Sequence, residues 1–281
     1  MLGKLLKHEF RATGRIMLPV FGVLLILSML FNVSVRLSGK IDFPLLRIFF
    51  GLVGVAFVVG IIAAELLSLI LMIYRFYRNM LGDEGYLMFT LPTDVHALVW
   101  SKLIVSFVWL LLTNLLILLI MFFTAFSFSQ TGLQEVFRQL PSWAETRQML
   151  AELGISVGML TGLALEGLLI LLLAGLTVCL HFYASMSLGH MFSRRKILWS
   201  VLFFVGISFT FRFLLSGLFL LLIPALDQGR LQVLFTDGAG LTDIIRVMML
   251  IMGAGGLVSL AESVILYLAT TLSLQKRLNL A

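Results

Sequence analysis

Six apolar runs dominate the sequence, near residues 16–35, 48–74, 103–127, 155–188, 197–223 and 247–272. Each approaches or exceeds the roughly 20 residues that a helix needs to cross the hydrocarbon core of a bilayer. Of 281 residues, 60% are hydrophobic and 12% charged, against roughly 45–50% and 25% in a soluble domain. That excess is too large for one globular core. The sequence therefore predicts an all-α integral membrane protein, a single domain over residues 1–281 with six transmembrane helices.

Basic residues set the expected orientation, because cytoplasmic loops are enriched in Lys and Arg. With the N-terminus inside, the inner segments hold twelve Lys and Arg and the outer segments seven, Arg212 being left within a span. Both termini are thus expected in the cytoplasm and the chain in the plasma membrane. The formal charge of +6 then reflects inner flanks meeting anionic lipid and requires no nucleic-acid partner. Lys4, Lys7, Arg11 and Arg15 precede the first run, but no small-residue cleavage box follows it, so that run reads as a retained anchor rather than a signal peptide. Leu2, Leu5, Leu6 and Phe10 recur at helical spacing among those charges. They predict a short amphipathic helix over residues 1–15 at the membrane surface. Leu133, Val136, Phe137 and Leu140 predict an interfacial helix ended by Pro141.

Enzyme chemistry finds little support. No G-x-x-x-x-G-K-[ST] loop is present to cradle a nucleotide phosphate, and no H-E-x-x-H to hold zinc. His181 and His190 lie nine residues apart, two and a half helical turns, on opposite faces. The one cysteine, Cys179, cannot form an internal disulfide. No catalytic residue, metal or cofactor is expected in this chain.

Four acidic or basic residues of the Asp, Glu, Lys and Arg kind lie inside the runs: Glu65, Glu166, Arg212 and Glu262. Such residues are costly at depth and face the bundle interior or water. Arg212 and Glu262 occupy comparable depth on consecutive antiparallel spans, so an ion pair between them is expected. Glu65 and Glu166 have no evident partner.

The second inner segment, Tyr74 to Lys102, mixes charge with apolar side chains. A helix to about Met80, a turn, a short helix from about Glu84 to Leu91 and a return helix near Val95 are expected, the last capped by Thr93-Asp94 after Pro92. Leu87, Met88, Phe89 and Leu91 suit docking into a partner's groove or lying on the membrane.

At this loop the sequence resembles the permease subunits of ABC-2 type ATP-binding cassette transporters. Glu84-Gly85-Tyr86-Leu87, Leu91-Pro92 and Lys102-Leu103 resemble the pattern E-x-G-[TY]-L…L-P…K-L, except that Glu84 adjoins Gly85 and Asp83 stands two residues before it, and Lys4-Leu5-Leu6-Lys7-His8-Glu9-Phe10 resembles the family's opening. The motifs cover about forty residues. Tyr86 stands where Thr is common, and Thr93-Asp94-Val95 where Val with a basic residue is frequent. The resemblance implies six spans with both ends inside, an N-terminal amphipathic helix, and a coupling helix between spans two and three. Asp83, Glu84, Gly85, Tyr86, Leu87, Leu91 and Pro92 would contact a separate cytoplasmic ATPase, which would carry the ATP and Mg. A second permease copy or paralogue would complete an exporter. Two rivals stand beside it: a non-transporting immunity or regulatory membrane protein, and a proton-coupled secondary transporter using Glu65, Glu166 or Glu262.

Overall fold

The computed structural model describes residues 2–38, 43–82, 85, 94–128, 138, 141–192, 194–227 and 240–276. Among them are seven α-helices: α1 (Leu2–Ser38), α2 (Pro44–Phe76), α3 (Val95–Phe128), α4 (Trp143–Glu152), α5 (Val157–Gly189), α6 (Lys196–Asp227) and α7 (Leu241–Lys276). No strand occurs among the described residues. All but α4 are long and apolar enough to cross a membrane. Their outward faces carry large apolar side chains such as Leu18, Ile26, Met29, Leu45, Ile48, Leu52, Leu118 and Leu171. A belt of that size on every long helix is stable against lipid and not against water. The chain is a multi-pass helical membrane protein.

Five of the six expected spans fall inside these helices and the fourth, 155–188, starts two residues before α5, but the first differs in kind. Residues 2–15 form no separate surface helix. They are the opening turns of the continuous 37-residue α1, which passes through Pro19 without ending. Its buried face begins early, at Glu9, Thr13, Gly14 and Met17. Other ends follow local chemistry. Pro44 opens α2 at a first-turn position, where its missing N–H leaves no bond unmade. The α3 helix starts at Val95, as expected, with the Asp94 carbonyl accepting from the Ala97 and Leu98 amides at 2.9 and 3.2 Å. The interfacial helix expected on Leu133, Val136, Phe137 and Leu140 falls outside the described residues. A helix instead follows Pro141, where Ser142 and Glu145 form a reciprocal capping box.

The helices form two compact units, residues 1–140 and 141–281. In the first, α1 packs along both α2 and α3. Met17, Val105 and Trp109 make one buried cluster, and Leu24, Phe57, Ala64 and Ile120 another. Gly60 allows close approach, since a Cβ there would lie 2.8 Å from Leu27 Cδ1, whereas Gly51 faces open space. In the second unit α5 is the middle helix. It packs against α7 and α6, which barely touch each other.

Candidate functional site

Two polar constellations interrupt this apolar architecture, one in each unit. In the first unit, Glu9 of α1 is buried at 8% exposure. Its Oε2 accepts from Arg75 of α2, with Nη2 at 2.9 Å and Nε at 3.1 Å. Its Oε1 accepts from Lys102 Nζ on α3 and from Asn79 Nδ2 at 3.3 Å. The charges of Arg75 and Lys102 offset that of Glu9, which a buried carboxylate requires. One turn further along α1, Thr13 Oγ1 accepts from Trp109 Nε1 of α3 at 2.7 Å.

Asn79 reaches this joint from an unusual backbone. After Phe76 the helix widens into a π-helical segment, Tyr77–Leu81, closed by the Gly82 amide on the Tyr77 carbonyl at 2.8 Å. One extra residue in the turn leaves Asn79, Met80 and Leu81 all buried. Single π turns recur at functional sites, and this one stands at the root of the loop singled out from sequence. Gly85 is buried, its amide donating to the Gly82 carbonyl at 2.8 Å. Asp83, Glu84, Tyr86, Leu87, Leu91 and Pro92 lie outside the described residues.

In the second unit a pocket of about 320 Å³ opens between α6 and α7 against α5. Arg212 and Glu262 both line it, yet they do not pair. Because α5 lies between α6 and α7, the partner within reach of Glu262 is His181, with Nδ1 3.6 Å from Oε1. On its other side His181 Nε2 sits 2.9 Å from Ser208 Oγ and 3.2 Å from the Phe204 carbonyl of α6. His181 thus bridges the two helices that were expected to meet directly. Among the described residues Arg212 has no carboxylate or hydrogen-bond partner, and its side chain is exposed. Phe204 stacks on Phe182 at 4.8 Å and takes the His181 ring edge-on at 4.9 Å. Thr177 and Ser263 hydroxyls, 2.7 Å apart, tie α5 to α7 beside the pocket.

The other two expected intramembrane acids are separate from this site. Glu65 Oε1 accepts from Asn114 Nδ2 at 3.4 Å, and its Oε2 is buried without a hydrogen-bond partner. Glu166 Oε2 is likewise buried and unsatisfied, while Oε1 lies 2.9 Å from where a Cβ on Gly253 would stand. His190, one residue beyond α5, bonds the Met186 carbonyl through Nδ1 at 3.1 Å and does not join His181. Cys179 is buried and free, and no group of three or more metal-binding side chains occurs among the described residues.

Sequence reasoning missed Glu9 and His181 as site residues. Position 9 falls on the apolar stripe of Leu2, Leu5, Leu6 and Phe10, where an acid requires a buried partner. His181 carried a similar mark, an imidazole inside the run 155–188, but its spacing from His190 addressed only whether the two could be co-ligands. Compared with known proteins, the chain matches no family model, no curated protein and no solved structure.

Proposed function

We propose that this chain is the membrane-spanning permease subunit of an ATP-driven exporter of the ABC-2 type, with both termini in the cytoplasm. The loop over residues 82–92 would receive force from a separate ATPase. The observation that supports this most is the Glu9 joint. A loop that transmits force needs a stiff base, and the base of this one is a buried ionic tie among three spanning helices. Arg75 and Asn79 stand just before the loop and Lys102 just after it, all held on one carboxylate of α1. A push on the loop would therefore act on α1, α2 and α3 together. Transport then requires two arrangements of the bundle that the ATPase contacts differently, and a second copy or paralogue to complete the pathway.

The test is purification of the tagged protein from its native membrane in mild detergent. A stoichiometric ATPase bearing a phosphate loop, lost on changing Glu84 and Tyr86 while the protein still inserts, is the expected result. A chain that carries no ATPase even after cross-linking in the membrane overturns the reading.

One observation favours a second reading, a proton-coupled carrier. The unsatisfied oxygens of Glu65 and Glu166 are carboxyl groups to which a proton or cation would bring a missing partner. Transport that collapses with the proton gradient and needs no ATPase would select it.

A further inference from the structure

The pocket in the second unit holds an exposed guanidinium and a carboxylate on different helices, both facing one space and neither neutralising the other. Arg212 lies 16 residues after Lys196 and 15 before Asp227, the middle of a spanning helix. An arginine at that depth, without a carboxylate of its own, calls for an anion. Among the described residues Glu262 has only His181, at 3.6 Å, a separation too long for a hydrogen bond, so its oxygens can accept from a cation. Phe182, Phe204 and Phe211 line the same space; Phe182 and Phe204 stack on each other, which leaves the Phe211 ring to attract an ammonium. Val205, Phe209 and Phe213 of the same helix are exposed, so α6 also offers an apolar surface to lipid.

We infer that this pocket binds a zwitterion in which a primary ammonium and a phosphate are joined by a short link, as in the headgroup of an ethanolamine phospholipid. The phosphate sits on Arg212, whose planar fork matches two oxygens at once. The ammonium donates to Glu262, with the Phe211 ring on the same pocket wall. A choline headgroup has no N–H to give the carboxylate, and a phosphatidylglycerol headgroup brings an anion without the ammonium that Glu262 needs. The inference requires the membrane setting and not the ATPase-coupled reading, so failure of either leaves the other standing.

The test uses the full chain, delipidated in detergent, with dioleoyl phosphatidylethanolamine, phosphatidylcholine and phosphatidylglycerol as probes. Retained lipid is counted by native mass spectrometry. The ethanolamine lipid is expected to be retained in preference to the other two. Arg212→Gln and Glu262→Gln should each weaken it about tenfold, the size of one hydrogen bond to a charged group. Arg212→Gln alters an exposed side chain, so it carries the test if Glu262→Gln does not fold. Competition by free phosphoethanolamine at equal affinity would assign the site to the soluble headgroup, and absence of competition to the lipid. Equal retention of all three lipids, or retention untouched by Arg212→Gln, overturns the inference.

Discussion

Glu9→Gln tests the joint at the base of the loop. The substitution keeps shape and removes charge, leaving Arg75 and Lys102 facing each other across a neutral amide. Breaking a buried ion pair from one side costs about 3–5 kcal/mol. The lower end applies here, because the Arg75 side chain is 24% exposed and can turn towards water, whereas Lys102 at 3% cannot. We expect Glu9→Gln to lower stability by about 3 kcal/mol. Lys102→Gln alone should also destabilise, since it exposes Glu9 to partial loss of its counter-charge. The double variant should lose about 2 kcal/mol less than the sum of the singles, as coupled neighbours do. The assay is unfolding of the purified chain by SDS titration in mixed micelles, followed by tryptophan fluorescence, with Trp109 next to the joint through Thr13. Additivity of the two singles within about 0.5 kcal/mol would refute the claim that Glu9 and Lys102 act as one ionic unit.

Two further expectations address the second unit. At Gly189 a Cβ would lie 2.5 Å from the Ser200 amide nitrogen and 2.6 Å from its Cα, backbone atoms that cannot rotate away; Gly189→Ala should cost about 3 kcal/mol, while Gly206→Ala on the open face of α6 should be neutral or mildly stabilising in the same titration. Burial, and secondarily the nearby Lys196, hold the His190 imidazole below its ordinary value of 6.5, although its bond to Met186 opposes this. The unfolded chain then binds the extra proton more readily, so stability is full above about pH 6.5 and falls as pH drops below it; His190→Gln should flatten that part of a stability–pH profile.

The spans were legible because hydropathy reports the solvent directly: twenty apolar residues in a row have few alternatives to a spanning helix. The start of α3 just after Asp94 was legible for a similar reason, since turn and cap signals act on their own few residues. What was not legible depended on which helix lies between which. Arg212 and Glu262 share depth, and consecutive spans often pack together, but α5 separates α6 from α7 and supplies His181 to both. No local signal encodes that order. The continuity of α1 was obscured by its charges, which suggested a segment at the surface, although Glu9, Thr13 and Met17 already trace the stripe that continues into the apolar run. The Ser142–Glu145 capping box is local in character and follows the S-x-x-E spacing, whereas the helix expected before Pro141 rested on apolar spacing alone.

The unbroken α1 makes the first unit a lever. From Glu9 to Asn32, which donates to Thr124 of α3 at 3.3 Å, is 23 residues, about 35 Å of helix. A rod of that kind converts a small tilt at one end into a displacement at the other, without any side chain in between having to relay it. Its one soft point is Pro19, where the ring removes the amide bond to the preceding turn. Stiffness on either side of Pro19, and compliance at it, would determine whether a tilt at the Glu9 end arrives at Asn32 or is absorbed midway.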